Sequence, residues 1–258
     1  MITLVQGIRN KMPRIGGKKL YYMLKDQLSN LKVGRDKLFR ILRANHMLIV
    51  PKKDYRKTTD SYHRFKKHKN IVCNIQIDRP EKVWVSDITY VGTRDNPSYL
   101  AVITDAYSKM IVGYNVSNSL AVQGSLKALQ MALDNRKYKK LPLIHHSDRG
   151  LQYCSNDYQN LLVHNDIQTS MTEKYDPYEN AIAERVNGIL KQEFNIDQKV
   201  DNLNIKTKLI EDAIEVYNHI RPHLSNHMLT PKQMHQQKQL KPKQYKTKIL
   251  REASFSEN

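Results

Sequence analysis

From residue 81 onward the chain carries a pattern that few folds accommodate. Three β-branched and aromatic runs, at residues 83–91, 99–104 and 110–114, follow one another with no helical segment between them. Asp105 to Lys109 supplies a turn between the second and third, so the three can form an antiparallel meander. Strands and helices then alternate. Apolar spacing gives a helix at about 121–133, a buried strand at 141–146, a helix near 156–164 and a short strand at 167–170. Long helices follow at about 178–194 and 205–219. A meander feeding into strand–helix alternation implies an α/β domain built on a mixed five-stranded sheet with flanking helices.

The first eighty residues differ in kind. They hold 20 Lys and Arg against 5 Asp and Glu, whereas the other 178 residues carry 23 against 20. A basic segment joined to a nearly neutral body suits a polyanion-binding arm on a catalytic or structural domain. Within residues 1–50, Leu20, Met23, Leu24 and Leu28 recur at helical spacing after Gly16-Gly17. Leu38, Ile41 and Leu42 mark a second short helix surrounded by Arg35, Lys37, Arg40 and Arg43. Two readings fit this pair: a small all-α, helix-turn-helix-like DNA-binding region, or a helical pair packed on the core. Residues 51–80 lose the periodicity and read as a basic linker, with Lys66 and Lys67 placed to follow a phosphate backbone. Two cysteines, Cys73 and Cys154, suit neither a disulfide framework nor a zinc cluster. With no apolar run near ~20 residues and no signal-peptide pattern, the expectation is a cytoplasmic protein without a membrane span.

Three carboxylates stand out. Asp87 lies inside an apolar strand, where an ionised side chain is costly unless paired or metal-bound. Asp148 follows a second apolar strand, at the kind of strand end where α/β sheets place ligands. Glu184 lies in the long helix; at 100° per residue it shares a side with Asn187, Gly188 and Lys191, opposite an apolar stripe of Ile182, Val186 and Ile189. Three converging carboxylates suit hard divalent ions such as Mg²⁺, and two such ions ~3.5–4 Å apart support in-line phosphoryl displacement. Each acid taken singly reads more readily as structural than as catalytic: a satisfied core aspartate, a solvated helical glutamate. Asp105 reads as turn chemistry, and His145 and His146 as satisfied strand-end residues. Tyr153 and Asn180 read as supporting or DNA-contacting groups, and Arg221 as a phosphate ligand or an anchor of the C-terminal segment.

The motifs around these acids resemble a known family. Trp84-Val85-Ser86-Asp87-Ile88-Thr89-Tyr90, His146-Ser147-Asp148-Arg149-Gly150-Leu151-Gln152-Tyr153 and Glu179-Asn180-Ala181-Ile182-Ala183-Glu184-Arg185 look like the retroviral-integrase-like core of bacterial insertion-sequence transposases of the OrfB type. Thirty-five residues separate Asp148 from Glu184, as in the family's Asp-Asp-Glu core. Lys191 matches its terminal-DNA-contacting basic residue, and Tyr217-Asn218, Arg221-Pro222-His223 and Thr230-Pro231 resemble its closing motif. Pro13 to Leu20 looks like its N-terminal helix-turn-helix region.

The resemblance implies a ribonuclease H-like fold and a DNA transposase that cleaves element ends and joins the 3′-hydroxyl to DNA. The expected order is a helix-turn-helix-like region at 1–50, the basic linker at 51–80, the integrase core with closing motif at 81–235 and a basic tail at 236–258. Asp87, Asp148 and Glu184 are the implied catalytic and metal-holding residues, for two Mg²⁺ ions with Mn²⁺ as a substitute. Lys191, Asn187, Arg35, Arg40, Lys66 and Lys67 are the expected DNA contacts. Implied partners are double-stranded DNA (the terminal inverted repeats and the target), further copies of the chain, and a first-frame (OrfA) protein or a fusion to it, in a nucleoid-associated setting. The rival readings are a non-catalytic regulator or inactive transposon remnant, and a ribonuclease H-type hydrolase.

Overall fold

The computed structural model describes residues 1–50, 65–73, 75–93, 96–173 and 180–237. The meander forms as expected: β1 (Val83–Gly92), β2 (Pro97–Asp105) and β3 (Ile111–Ser117) pair antiparallel in sequence order. Two parallel strands, β4 (Leu143–Ser147) and β5 (Ile167–Met171), add on the other side of β1, giving the order β3-β2-β1-β4-β5. β1 is therefore central, and its side chains alternate between two cores. Trp84 points into the core formed with α5 (Val122–Asp134), α6 (Leu151–Cys154) and α7 (Asn156–His164). Val83, Val85 and Val91 face the side of α8 (Ala181–Phe194) and α9 (Leu203–His219). On β3, Gly113 lets α5 lie close, since a Cβ there would run into the Ala128 carbonyl oxygen.

The N-terminal region has more pieces than its spacing suggested. Four short helices form: α1 (Ile2–Arg9), α2 (Gly17–Met23), α3 (Lys25–Asn30) and α4 (Arg35–Ala44). Of the two readings, packing on the core is the one the contacts bear out. Leu20, Leu24, Leu28, Leu38 and Leu42 join the same apolar cluster as Val186, Leu190, Phe194 and Tyr217, so the helices pack on the core. Arg35, Lys37, Arg40 and Arg43 of α4 stay exposed, whereas Lys19 of α2 is drawn inward to Glu193.

Residues 51–64 lie outside the described residues, but the rest of the expected linker belongs to the core. Phe65 packs among the α5–α7 side chains, while Ile71, Val72, Ile75 and Ile77 cover the α8 side of the sheet. Ile71 N–H donates to Ser170 Oγ at 3.1 Å, and Met171 N–H to the Lys69 carbonyl at 3.3 Å. Four β-branched residues in seven gave the signal; the surrounding charge masked it. Of the expected tail, only residues 236 and 237 are described; the segment before them ends in α10 (Pro231–His235). Thr230 starts that helix with a capping box, its hydroxyl accepting from Gln233 N–H.

Two buried ionic groups tie distant segments together. At the start of β1, Glu81 accepts from Lys137 N–H and Tyr138 N–H at 2.8 and 2.7 Å, and His235 of α10 lies 3.4 Å from Glu81 and 3.6 Å from Asp105. Asp105 also accepts from Ser108 N–H and Oγ–H and from Glu81 N–H, which is the turn role expected of it. At the end of α8, Glu193 holds Arg221 through two 2.8 Å bonds and Lys19 through a third. Arg221 is 1% exposed, so it anchors the closing segment and is not a surface phosphate ligand.

The Glu193 carboxyl is held below its ordinary range because Arg221 and Lys19 outweigh its burial. Lys19 is itself held low, by burial and by Arg221, so the favourable balance rests on the Arg221 fork. Glu193→Ala strands a buried guanidinium and is expected to cost about 3–5 kcal/mol in urea denaturation. Glu193→Gln should also flatten the acid limb of the stability curve, because the carboxylate's contribution is present above its unfolded pKa and vanishes as pH falls through the lower folded value. An unchanged acid limb would show that the ion group contributes nothing.

Candidate active site

The centre of the sheet places two of the three marked acids side by side. β1 and β4 run parallel with Val85 opposite His146; Asp87 follows two residues later on β1, and Asp148 comes just past the end of β4. β4 ends at Ser147, so Asp148 stands at the strand's carboxyl end, where the chain turns into α6. Its Oδ1 accepts from Gly150 N–H at 2.9 Å. A Cβ at residue 150 would lie 2.9 Å from that oxygen, so glycine lets the carboxylate fold back over its own turn. Asp87, Ile88, Leu120, Asp148, Gly150, Gln152 and Tyr153 line one cleft.

Asp87 is fixed from two directions. Ile88 N–H donates to Oδ1 at 2.9 Å, and Asn187 of α8 donates from Nδ2 to Oδ2 at 2.8 Å. The expectation that Asn187 contacts DNA from an open helix face does not hold in this arrangement: the residue is 4% exposed and turned toward β1. A strand carboxylate facing a packed helix needs a donor, and Asn187 lies on that packed side. The buried side of α8 accordingly runs through Ala183, Val186, Asn187, Ile189 and Leu190, with Ile182 only partly covered. Glu184 is exposed, Lys191 is half-buried, and among the described residues a Cβ at Gly188 would meet no atom within 4 Å.

Charge crowding separates this group from every other acid cluster described. Asp87 keeps an accessible edge but sits deep among protein atoms. Burial pushes its carboxyl up to about 7, and Asp148 and then Glu184 push the same way, against the hydrogen bonds from Asn187 and Ile88. Burial also raises the Glu184 carboxyl. Glu81, Asp105 and Glu193, by contrast, are all held low by cations and N–H donors. Full convergence of three ligands is not formed: among the described residues no three His, Cys, Asp or Glu side chains are close enough to hold an ion. Asp87 and Asp148 share the cleft, while Glu184 reaches it through its field. The segment leading into α8, residues 174–179 with Tyr178 and Glu179, lies outside the described residues.

The neighbouring histidines are structural, as expected. His145 Nε2 meets Ser86 Oγ at 2.6 Å and the Tyr158 hydroxyl at 2.9 Å, and His146 Nδ1 meets Ser170 Oγ at 2.8 Å. Burial, helped by His146, lowers His145 to about 3, so the ring is neutral. Asn180 caps the start of α8 and donates to the Ser86 carbonyl at 3.1 Å. Of the expected DNA contacts, Arg40, Lys66 and Lys67 are exposed. Arg35 is exposed and paired with Asp36 at 3.0 Å. Spacing gave no hint of Glu193, whose partner Lys19 is 174 residues away.

Known proteins resemble this chain in sequence and fold. Residues 77–177 match the family model described as integrase core domain, and residues 165–231 match a second model of the same description. The insertion element IS600 uncharacterized 31 kDa protein of Shigella sonnei is 36% identical over 193 residues, 74% of this chain and 71% of that protein. The chain belongs to the insertion-sequence transposases with an integrase core.

Another member, transposase InsF for insertion sequence IS3fB of Escherichia coli K12, is 36% identical over 159 residues, 61% of this chain and 55% of that one. The putative transposase for IS986/IS6110 of Mycobacterium tuberculosis is 37% identical over 118 residues, 44% and 42% of the two chains. The chain thus spans 71% of the first relative and about half of the others. Among solved structures, a chain of the cryo-EM structure of the simian T-cell lymphotropic virus intasome in complex with PP2A regulatory subunit B56 gamma superposes with a TM-score of 0.54 and 18% identity, over 91% of this chain and 79% of that one. That likeness supports the ribonuclease H-like integrase fold. No described helix of this transposase-family chain is long and apolar enough to cross a membrane.

The raised Asp87 carboxyl has a measurable consequence in protein kept free of metal by a chelator. Its folded pKa lies above the unfolded value of 3.8, so its contribution to stability is full below that value and is lost as pH rises to about 7. Asp87→Asn should remove this loss between about pH 4 and 7, and Asp148→Asn should reduce it. Thermal melts across that range in the three proteins give the comparison; parallel curves would mean that the acids do not interact.

Proposed function

We propose that this chain cleaves the phosphodiester at insertion-element ends and joins the resulting 3′-hydroxyl to DNA, with Asp87, Asp148 and Glu184 as the residues that hold divalent metal. The observation that carries the reading is that Asp87 and Asp148 line one cleft and repel each other there, with Glu184 adding to the same field. The donor set is all hard oxygen, which fits Mg²⁺ with Mn²⁺ as a substitute. When bound, such ions supply the charge that activates an attacking oxygen and stabilises the leaving one.

The protein's part is positioning. Asn187 and Ile88 N–H fix the two oxygens of Asp87, and Gly150 N–H fixes Asp148, so neither carboxylate must be ordered when DNA arrives. Tight holding of Asp87 against a strand suits a group that must not swing away under charge repulsion. Lys191 lies two turns beyond Glu184 on α8, beside the open surface at Gly188, and is placed to meet terminal nucleotides. Lys66, Lys67, Arg35 and Arg40 supply sequence-tolerant phosphate contacts from the rim and from α4. The partners on this reading are the element's terminal repeats and target DNA, further copies of the chain on a second DNA end, and a first-frame protein that helps find those ends.

Joining of labelled element-end DNA, with the first-frame protein present, tests the reading. Wild type should join in Mg²⁺ and stop when the ion is chelated. Glu184→Gln should keep DNA binding and lose joining. Asn187→Ala, which loosens Asp87 without removing an acid, should slow joining by about 10²-fold. Equal joining by wild type and Glu184→Gln would remove Glu184 from the catalytic set, and DNA binding without joining by any of them would favour a regulator.

A further inference from the structure

Four polar side chains meet on the α5–α7 side of the strand pair that carries the acids: Ser86, His145, Tyr153 and Tyr158. Three are engaged with one another, since the Ser86 and Tyr158 hydroxyls both reach His145 Nε2. Tyr153 packs its ring against the same group, 5.4 Å from Tyr158 and 6.1 Å from His145 between centroids. Its hydroxyl joins none of them. The residue is 3% exposed, and the hydroxyl has no hydrogen-bond partner among the described residues. A phenylalanine would fill the same space without leaving a desolvated O–H unpaired.

The position of that hydroxyl supplies a reason. Tyr153 lines the cleft with Asp87 and Asp148, and both carboxylates act on it electrostatically. The other polar side chain of the lining, Gln152, has its amide engaged with the Leu120 carbonyl at 2.7 Å. Asp87 and Asp148 offer only lone pairs once ionised, so an oxygen ligand seated between them finds no proton donor in either. We propose that the Tyr153 hydroxyl is that donor, directed at an oxygen held at the Asp87–Asp148 pair. The oxygen belongs either to a water on the bound ion or to a phosphate of the DNA. This rests on the metal-holding reading above and adds to it a residue that orients the ligand from the cleft floor.

Tyr153→Phe in the full chain keeps the ring and removes only the hydroxyl. Three measurements separate the possibilities: melting temperature without metal, Mn²⁺ affinity by electron paramagnetic resonance without DNA, and joining kinetics in Mg²⁺ with the first-frame protein present. Tyr158→Phe is the structural comparison, because its hydroxyl already has His145. The metal-free Tyr153→Phe protein should melt at the wild-type temperature or about 2–4 °C higher, whereas Tyr158→Phe should melt lower. If the acceptor is a metal-bound water, Mn²⁺ affinity should fall about fivefold. If it is a phosphate oxygen, Mn²⁺ affinity should stay unchanged while kcat for joining falls about tenfold at unchanged KM for DNA. A lower metal-free melting temperature in Tyr153→Phe, or wild-type values throughout, would overturn the proposal. Asp148→Asn guards the underlying reading: if wild type and Asp148→Asn bind Mn²⁺ equally poorly, the metal assignment itself fails, whatever Tyr153 does.

Discussion

The packing of α8 across the central strands is the contact on which the other features depend. One turn buries Ala183 and Val186, the next turns Asn187 toward Asp87, and the last delivers Glu193 to Arg221 and Lys19. Glu193 lies nine positions beyond Glu184, two and a half turns, so the two acids face opposite sides of the helix. One stays at the surface on the side of the cleft and the other is buried against the N-terminal helices and the closing segment. A small rotation of α8 would disturb both ends and the middle together. That coupling explains why one helix is held at once by apolar packing, an amide bond to β1 and a buried ion group.

The buried acids of this fold divide by the company they keep. Glu81 and Asp105 face a histidine that burial pulls down but whose bonds to these two acids raise it to about 9, and Glu193 faces a guanidinium. Each of these acids joins chain segments far apart in sequence, and each is pushed toward its charged form. Asp87 has comparable burial but acids for neighbours, and it is pushed the other way. Folding alone gives no reason to keep two repelling carboxylates in one cleft, since asparagine would preserve the shape without the charge. On the proposed function, a divalent cation is what would restore the balance. On this reasoning the site is incomplete as folded protein, in the sense that the other ionic groups are complete.

Much of this was legible in the residues. Strand composition located all five strands, and an aspartate in an apolar run and another at a strand end located the cleft. Those signals are local, because a strand shows its faces within a few residues. What stayed hidden depends on how distant segments meet. The stripe on α8 was assigned from Ile182, Val186 and Ile189, which placed Asn187 on the wrong side; the sheet, not hydropathy, decides where an amide is needed. Residues 65–80 read as linker because charge is counted per residue while burial is decided by the neighbouring Ile71, Val72, Ile75 and Ile77. Arg221 read equally well as ligand or anchor until Glu193 appeared beside it.

The same logic bears on how the basic N-terminal helices relate to the cleft. A DNA-binding module on a flexible tether would share a ligand with the core only through effective concentration. Here α1–α4 contribute leucines to the cluster that also holds Val186, Leu190 and Phe194, and the Arg14 N–H donates to the Glu193 carbonyl at 3.0 Å. Lys19, at the start of the second helix, reaches the carboxylate of that same residue. The exposed basic face of α4 is therefore held in fixed relation to the helix that carries Glu184. A duplex lying along α4 would meet the cleft at a distance set by packing. On the proposed function, two sites joined in that way would select DNA by geometry, and phosphate contacts that carry no sequence information would still set which phosphodiester lies over the acids.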